Sequence, residues 1–541
     1  MGKLSLKLFI LLSTCIFPAL LFAQGNDPEE KGLDQRIDEG FAPVANWFER
    51  VVFFPIRFTD TVSVPFIVIL LVCGALFFTI YFSFVNIRKF PLAIRVTRGK
   101  YDELELAPEP VSAELNIVEG DIVDTIKKEG HHGEVNHFQA LATAVSGTVG
   151  LGNIAGVAVA VAIGGPGATF WMIVCGLLGM SSKFVECTLG VKYRDIDAKG
   201  IVYGGPMYYL SKGLKERKLG GLGKFLAVLF AVLCVGGSFG GGNAFQSNQA
   251  TQQIVTMVGA QSGSSGFIVG LILATVTGIV IIGGIKRIAQ VTEKIVPFMA
   301  ILYILASLVI IFMHFGLIDD AFGQIVSQAF TPAAGVGGFA GVLIQGFRRA
   351  AFSNEAGAGS AAIAHSAVRT KYPASEGIVS LLEPFIDTVV ICTMTALVIV
   401  IYNMQGVFTY GSPGTLNGVD LTSAAYNDAI PHFSYVLTVA IVLFAFSTMI
   451  SWSYYGLQAW KYLFGRSFAS DLSYKLLFLV FVIVGASATL NSVISFSDAM
   501  ILAMVFPNMI GLLLLFPKVR DELNRYLNAI KEFKPENLRQ P

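Results

Sequence analysis

The sequence has few charged residues: Asp, Glu, Lys and Arg together make up 14% of its 541 residues. A soluble domain carries about 25% charged residues, so this composition excludes an ordinary soluble protein. The formal net charge of +1 leaves no basic surplus that would attract nucleic acid. The six cysteines include no CxxC pair, so neither a disulfide framework nor a zinc site is indicated.

Motifs of common enzyme and pump classes are also missing. The chain contains no H-E-x-x-H zinc motif and no G-x-x-x-x-G-K-[ST] nucleotide loop. Its histidines form no catalytic or metal pattern, and His365 is expected to be alone in its segment. An enzyme, a nucleotide-driven pump and a bound cofactor are therefore not expected.

Apolar residues, in contrast, are abundant: 54% of the chain is hydrophobic, and 43 residues are phenylalanine. This composition excludes disorder and predicts an all-α polytopic membrane protein embedded in a lipid bilayer. A spanning helix needs about 20 apolar residues with few charges. About eleven segments qualify, at residues 64–84, 138–163, 169–191, 225–254, 267–282, 295–314, 337–364, 378–402, 435–457, 476–488 and 493–516.

Residues 1–23 are predicted to be a cleaved signal peptide. Lys3 and Lys7 precede a short apolar run that ends near Ala23, which is the order of parts in a secretory signal. A permanent anchor helix is the alternative, and it is disfavoured because the run is shorter than a span requires. Residues 24–63 are largely polar and of mixed charge, and we expect most of them outside the cytoplasm.

Lysine and arginine are distributed unevenly between the loops. The loops at 164–168, 258–266, 316–333 and 403–434 contain neither residue, whereas the alternate loops are rich in both. Positively charged loops stay in the cytoplasm, so the N-terminus is predicted outside and the C-terminus inside the plasma (bacterial inner) membrane. The predicted organisation is a leading helix at 64–85, a cytoplasmic loop at 86–137, five-helix repeats at 138–314 and 337–516, and a cytoplasmic tail at 517–541.

Two predicted spans contain glycine clusters. The second span includes S-G-T-V-G-L-G-N-I-A-G at 146–156, and the seventh includes S-N-E-A-G-A-G-S at 353–360. Glycine costs a helix interior roughly 1 kcal/mol against alanine, so both segments are expected to unwind and release backbone N–H and C=O groups. For either motif alone, close packing through small residues is the alternative.

The two interrupted segments also resemble each other. N-I-A-G at 153–156 aligns with N-E-A-G at 354–357, and each opens a set of five predicted spans of opposite direction. Inverted repeats led by interrupted helices indicate the midplane site of a secondary transporter. The free N–H groups and the helix dipole at a break attract a carboxylate, whereas free carbonyls suit a small cation such as Na⁺. A small substrate that is both a carboxylate and an amine is therefore predicted.

Several motifs resemble those of the alanine or glycine:cation symporter family, the sodium:alanine symporters. They are the first glycine segment continued through I-G-G-P-G-A-T-F-W-M to residue 172, G-G-P-M-Y-Y at 204–209, F-S-N-E-A-G-A-G-S-A-A-I-A-H at 352–365, and F-A-F-S-T-M-I-S-W-S-Y-Y-G at 444–456. The resemblance covers about residues 133–516. It implies the 5+5 inverted-repeat fold of neurotransmitter:sodium symporters with one leading helix, broken first and sixth core helices, and alanine or glycine import driven by Na⁺.

The resemblance and the two breaks together select the candidate site. By analogy with neurotransmitter:sodium symporters, the N–H groups of Leu151 and Gly152 hold the substrate carboxylate. The substrate-binding candidates are Thr148, Gly150, Leu151, Gly152, Phe352, Ser353, Asn354 and Gly357. The Na⁺-binding candidates are Ser146, Val149, Thr148, Asn153, Ser447 and Thr448. Na⁺ is the only metal implied, and no cofactor is implied.

Ionisable residues inside a bilayer are costly, so each one is a functional hypothesis by default. Glu355, within the second break, is interpreted either as part of the site or as a partner of Arg348 or Arg349. Glu383 and Asp387, one turn apart, are interpreted mainly as partners of the same arginines, and a role in proton or cation passage is the alternative. Arg348, Arg349, Glu355 and Asp387 are therefore the candidates for a gate or charge pair.

Other polar residues in or near the spans are given smaller roles. Lys183 and Glu186 are expected to reach the cytoplasmic face as snorkelling side chains. Asp498 is expected to be exposed at the start of the last span. Gln246, which follows the glycine-rich stretch at 236–243, is a further candidate for lining the site.

The predicted function is import of a small neutral amino acid, alanine or glycine, by symport with Na⁺ through alternating access. Two alternatives use the same fold: coupling to H⁺, and an amino acid sensor that does not transport. A channel is less favoured because the sequence shows no repeated pore-lining ring. The expected partners are the amino acid, Na⁺ and lipid, without nucleic acid or nucleotide.

Overall fold

The computed structural model describes residues 32–57, 63–106, 117–118, 121–122, 133–197, 200–259, 262–330, 338–412 and 418–533. The predicted signal peptide at residues 1–23 lies outside these ranges. Parts of the predicted segments 24–63, 86–137 and 517–541 lie outside them as well.

The described chain is mainly helical, since a helix satisfies its own backbone polar groups within lipid. An amphipathic helix, α1 (Leu33–Val52), precedes the hairpin of β1 (Pro55–Arg57) and β2 (Ser63–Pro65). The other helices of the first half are α2 (Phe66–Tyr81), α3 (Val85–Arg88), α4 (Phe90–Thr97), α5 (Asp102–Leu106), α6 (His137–Thr148), α7 (Val157–Gly164), α8 (Gly167–Lys192), α9 (Pro206–Tyr208), α10 (Leu214–Glu216), α11 (Gly220–Phe239), α12 (Phe245–Val258), α13 (Ser265–Ile281) and α14 (Gly284–Met313).

The second half continues the same helical pattern. A 3₁₀ turn (Phe315–Leu317) precedes it, and its helices are α15 (Ile318–Phe330), α16 (Gly338–Asn354), α17 (Ala361–His365), α18 (Pro373–Val379), α19 (Leu382–Pro384), α20 (Thr393–Asn403), α21 (Val419–Ala429), α22 (Ser434–Phe464), α23 (Phe468–Ser487) and α24 (Leu490–Glu532). Wide π-type turns lie between helices at Gly152–Gly156, Tyr209–Gly213, Gly240–Ala244 and Phe385–Cys392. Two further short antiparallel hairpins pair β3 (Ile117–Val118) with β4 (Asp121–Ile122) and β5 (Asp195–Ile196) with β6 (Val202–Tyr203).

Seven helical stretches among the described residues are long and apolar enough to cross a membrane. They are Gly167–Lys192, Gly220–Val258, Gly284–Met313, Pro373–Asn403, Ser434–Phe464, Phe468–Ser487 and Leu490–Glu532. The bent pair formed by α6 and by Gly152–Gly164 makes an eighth, and α2 and α13 are shorter apolar helices. Each of the eleven predicted segments coincides with a helix or helix pair, but the number of crossings and the inverted repeat stay predictions.

Two long helices hold the interrupted segments. α8 packs against α16, α17 and α18, and α22 packs against α6, α11 and α12. Small residues permit this close approach: a Cβ placed on Gly179 of α8 would lie 2.8 Å from the Cβ of Ala356. Both breaks therefore lie in the buried interior, where their backbone groups need partners from other helices.

Candidate substrate and cation site

The first interrupted helix bends by 50° between α6 and the stretch that ends in α7. Glycines in the break release backbone N–H groups, and side chains bind two of them. Gly150 donates its N–H to Asn153 Oδ1 at 3.0 Å, and Leu151 donates its N–H to Gln246 Oε1 at 2.9 Å. Gly152 then begins the second half of the helix. The candidates Gly150, Leu151 and Gly152 thus lie at a real helix interruption.

The second interrupted helix opens between α16 and α17. Gly357 and Gly359 have φ values of +87° and +90°, which residues with a side chain rarely adopt. Glu355 also has a positive φ, +54°, which is uncommon outside glycine and concentrates at functional sites. Its buried carboxylate accepts the indole N–H of Trp452 at 3.0 Å and the hydroxyl of Ser360. Glu355 is therefore an integral part of the second break.

Trp452, on α22, connects the two breaks. Its indole nitrogen lies 3.2 Å from the carbonyl oxygen of Gly147 and 3.0 Å from Glu355 Oε1. An indole has a single N–H donor, so the same hydrogen atom faces an acceptor in the first break and an acceptor in the second. Trp452 was not among the residues predicted from the sequence, although it lies one helical turn after Thr448 in a motif that carried the family resemblance.

Asn153 and Asn354, which align between the two breaks, bind two consecutive residues, Asp387 and Thr388. Asn153 Nδ2 donates to Asp387 Oδ1 at 2.6 Å, and Asn354 Nδ2 donates to Thr388 Oγ1 at 2.9 Å. Ser353 Oγ donates to the other carboxylate oxygen of Asp387 at 2.9 Å. Asp387 therefore gathers donors from both breaks, which a pattern of single residues in the sequence does not reveal.

Three of the candidate Na⁺ ligands meet where the end of α6 crosses α22. Ser146 donates its hydroxyl to the carbonyl of Ser447 at 2.7 Å, and Thr448 donates its hydroxyl to the carbonyl of Ser146 at 2.9 Å. All three residues are buried, and Val149 is buried in the same break. Carbonyl and hydroxyl oxygens are ligands that hard cations accept.

The candidates Thr148 and Asn153 are close in sequence but bind different partners. The hydroxyl of Thr148 donates to the carbonyl of Ala144 at 3.3 Å, within its own helix. The side-chain oxygen of Asn153 accepts the N–H of Gly150, and its side-chain nitrogen binds Asp387. A second cation site at these two residues stays a prediction.

The space beside the first break is narrow. A Cβ on Gly152 would lie 3.5 Å from the ring of Phe352, and a Cβ on Gly150 would collide with Thr448 Oγ1 and lie 2.9 Å from Gln246 Oε1. Phe352 and Gln246 are both buried. Little space therefore remains beside Gly150 and Gly152 in this structure.

The two arginines before the second break bind an acid on the last long helix. Arg348 Nε donates to Asp498 Oδ2 at 2.8 Å, and Arg349 pairs with the same oxygen. Glu49 on α1 adds a contact of 3.5 Å to Arg348. Asp498 is fully buried, so the prediction that it is exposed is wrong; a buried carboxylate needs such partners.

The predicted pairing of Glu355 or Asp387 with Arg348 or Arg349 is wrong as well. Both carboxylates take hydrogen bonds from uncharged side chains: Glu355 from Trp452 on α22, and Asp387 from Asn153 in the first break. Asp498 supplies the negative charge for the arginines instead. A sequence offers no distance between elements so far apart, which is why the partners were misassigned.

Two further expectations for charged residues also fail. Lys183 and Glu186 do not reach a membrane surface: both are fully buried, and Lys183 Nζ lies 2.9 Å from Glu383 Oε1. His365 is not alone, because its ring nitrogens contact Glu376 at 2.5 Å and Glu383 at 3.4 Å. These residues form a buried polar system beside the second break.

The sequence matches the sodium:alanine symporter family over residues 51–540. The chain belongs to the sodium:alanine symporter family. This membership confirms the resemblance drawn from the motifs, and it makes the chain a membrane-embedded member of a family of amino acid symporters. α1 lies almost entirely before the matched residues.

Individual relatives support the same assignment. The sodium/alanine symporter AgcS of Methanococcus maripaludis is 39% identical over 474 residues, which cover 87% of this chain and 96% of that protein. The probable sodium/glutamine symporter GlnT of Bacillus subtilis is 36% identical over 399 residues, covering 73% of this chain and 80% of that one. Among solved structures, MhsT in complex with L-phenylalanine is similar at a TM-score of 0.46 and 14% identity, over 72% of this chain and 100% of that one.

Proposed function

We propose that the protein imports a small neutral amino acid, alanine or glycine, together with Na⁺ by alternating access. In this proposal the N-terminus faces outside and the C-terminus lies in the cytoplasm. The observation that carries the proposal is the contact between the first break and α22, in which Thr448 Oγ1 donates to the carbonyl of Ser146 at 2.9 Å. Carbonyl and hydroxyl oxygens thus lie together at the end of a broken helix, as a Na⁺ site requires.

The substrate carboxylate would bind the N–H groups at the start of the second half of the first broken helix. Leu151 N–H is occupied by Gln246 Oε1 at 2.9 Å, so we propose that the carboxylate displaces this amide oxygen on binding. The positive end of the helix dipole favours that exchange. Gln246 Nε2 donates one N–H to the carbonyl of Gly241 at 2.8 Å, and its second N–H would then donate to the substrate.

The glycines at the first break favour a small side chain on the substrate. The ring of Phe352 lies in van der Waals contact, at 3.5 Å, with the Cβ position of Gly152. A Cβ on Gly150 would collide with Thr448 Oγ1. Alanine and glycine add at most one methyl group beyond the amino acid backbone. A larger substrate would need Phe352 to move.

Na⁺ would couple transport by joining the broken helix to α22. Its charge would replace the direct hydrogen bonds between Ser146, Ser447 and Thr448 and would hold the break in the conformation that receives the carboxylate. Without Na⁺, the substrate would meet a less ordered site. This division of labour is the usual one at discontinuous helices of secondary transporters.

The test is uptake of radiolabelled L-alanine into proteoliposomes that contain the full chain, under an inward Na⁺ gradient, an equal K⁺ gradient, or a pH gradient alone. Concentrative uptake that needs Na⁺ supports the proposal. Thr448→Val should reduce the Na⁺-dependent rate, whereas Thr275→Val, which alters only a hydroxyl bonded to its own helix, should not.

Other outcomes point to the alternatives. Uptake with the pH gradient alone makes H⁺ the coupling ion and contradicts the Na⁺ assignment. Binding of alanine by a folded protein that transports no alanine, glycine or serine under any gradient contradicts transport and favours a sensor. Labelled glutamine, tested in parallel, would show whether the narrow site excludes a longer side chain.

A further inference from the structure

Seven buried ionisable side chains form a row beside the second break, in which each side chain contacts the next. We call them the ionic row; in spatial order they are Glu186, Lys183, Glu383, His365, Glu376, His137 and Glu105. None is more than 5% exposed. The proposed substrate and Na⁺ site uses none of them.

The inner part of the row begins beside the second break. Asn508 Nδ2 donates to the carbonyl of Gly357 at 2.8 Å and to Glu186 Oε2 at 3.1 Å. Lys183 Nζ then lies 3.8 Å from Glu186 Oε1 and 2.9 Å from Glu383 Oε1. The row therefore starts within two hydrogen bonds of the break.

The outer part is a repeat of carboxylate and imidazole. Glu383 Oε2 lies 3.4 Å from His365 Nε2, and His365 Nδ1 lies 2.5 Å from Glu376 Oε1. The other oxygen of Glu376 contacts His137 Nδ1, and His137 Nε2 lies 2.7 Å from Glu105 Oε2. Glu105 belongs to α5, in the loop predicted to be cytoplasmic.

Each imidazole touches a carboxylate on both sides. Carboxylates accept hydrogen bonds and donate none unless they are protonated, and a neutral imidazole has only one N–H. Each of these two histidines must therefore be protonated or must border a protonated acid. With both protonated, negative and positive charges alternate from one end of the row to the other.

One oxygen in the row accepts no hydrogen bond. Among the described residues, Glu186 Oε1 is buried without a hydrogen-bond donor, and its 3.8 Å contact with Lys183 Nζ is longer than a hydrogen bond. A buried carboxylate oxygen without a hydrogen bond is costly, and binding a proton would reduce that cost. The Lys183 ammonium beside this oxygen repels a metal cation, so a proton is the ligand that this chemistry favours.

Other charged or titratable groups surround the row. Those that interact with it electrostatically or by hydrogen bond are Asp102 and Tyr526 near its outer end, Arg194 near Glu376, Asp387 and Tyr455 near Glu383, and Cys187, Glu355 and Tyr209 near Lys183 and Glu186. Tyr526 donates to Glu105 Oε1 at 2.7 Å. None of them interrupts the succession of contacts.

We propose that the ionic row conducts a proton between the second break and the cytoplasm, so that a proton accompanies each amino acid and Na⁺ imported. The proposal rests on the proposed transport function and adds a second coupling ion to it. A proton enters on Glu186, and each member passes one proton to the next. Glu105 releases one to cytoplasmic water, so every group returns to its starting state and one proton has moved.

The test uses the full chain in proteoliposomes loaded with the pH dye pyranine, with equal pH and equal Na⁺ on both sides. Valinomycin and K⁺ impose an inside-negative potential, and alanine is then added outside. The wild-type protein should acidify the lumen. His365→Gln should slow acidification by at least about tenfold, since proton transfer through a positioned group contributes that much or more.

Measurement of alanine exchange distinguishes a proton relay from a purely structural role of the ionic row. Counterflow of labelled external against unlabelled internal alanine needs no net proton release, so His365→Gln should retain it. His314→Gln is the matched control and should change neither readout, because the His314 ring hydrogen-bonds the carbonyl of Ile310 in the preceding turn and is not part of the row. If His365→Gln does not fold, Glu105→Gln at the outer end should show the same split.

The outcomes distinguish this proposal from the function on which it rests. Wild-type exchange without acidification overturns the relay and leaves amino acid transport standing. Neither exchange nor acidification overturns both. Equal loss of exchange and acidification in a folded row variant overturns the relay, because it would mean that the row only supports the fold.

Discussion

Trp452 Nε1 lies 3.0 Å from Glu355 Oε1, so a residue of α22 binds the carboxylate at the centre of the second broken helix. The same indole hydrogen faces the carbonyl of Gly147 in the first broken helix. One side chain of α22 thus contacts both broken helices. Its contacts make Trp452 the most direct place to test whether the two breaks work together.

Trp452→Phe should lower alanine uptake by about tenfold or more. Phenylalanine keeps most of the ring but removes the donor, which leaves a buried Glu355 oxygen without this partner, at a cost of about 1–3 kcal/mol. Trp460→Phe is the control on the same helix, because the Trp460 indole has no hydrogen-bond partner among the described residues. Equal uptake by both variants would show that the link between the breaks is dispensable.

Gly150→Ala should abolish alanine uptake, whereas Gly156→Ala should retain it. An added methyl at Gly150 would collide with Thr448 Oγ1 and crowd Gln246, but at Gly156 it would meet nothing within 4 Å. Gly156 also has helical backbone angles, φ −65° and ψ −38°, which alanine prefers. The rates of labelled alanine uptake, normalised to folded protein, decide the comparison; loss in Gly156→Ala would contradict the packing argument.

Asp498→Asn should destabilise the protein by about 3–5 kcal/mol, because it leaves the buried Arg349 and the partly buried Arg348 without their shared carboxylate. Adding Arg349→Gln to that variant should restore part of the stability by removing one of the unpaired charges. The measurement is thermal unfolding of the purified protein in detergent. Arg369→Gln, on an exposed side chain, is the control, and a double variant no more stable than Asp498→Asn would count against the pairing.

Na⁺ should raise the thermal stability of the purified protein, and K⁺ at equal ionic strength should not. A ligand bound only by the folded state stabilises it by about 2.7 kcal/mol at a concentration 100 times its dissociation constant. Thr448→Val should remove the Na⁺ effect while keeping the shape of the side chain. A Na⁺ effect unchanged in that variant would place the cation elsewhere.

Much of this molecule was predictable from local sequence. Long apolar runs marked the helices, and glycine clusters at 146–156 and 353–360 marked the two interruptions, because helix propensity and hydropathy act within a few residues. The same motifs identified the family, which the match over residues 51–540 confirms. Gly150 could be chosen as a candidate on the first break for the same local reason, whereas Leu151 was chosen through the family resemblance.

The partners of the buried charges were not predictable in this way. Lys183 was expected at a surface and Asp498 in solvent, yet each lies in the interior beside an opposite charge from a distant part of the chain. Trp452 was missed because nothing in a tryptophan on an apolar helix shows that its N–H faces a carboxylate. These contacts depend on which helix faces lie together, a property of the packed molecule.

The sequence by itself determined that this chain is a helical membrane protein of the sodium:alanine symporter family with two broken helices. Composition, glycine spacing and motif identity are local properties, and each is readable without knowing the neighbours in space. The tertiary structure alone decided which side chains close the breaks and which acids pair with Lys183, Arg348 and Arg349. In a low-dielectric interior a charge is tolerated only beside its partner, and only packing brings those partners together.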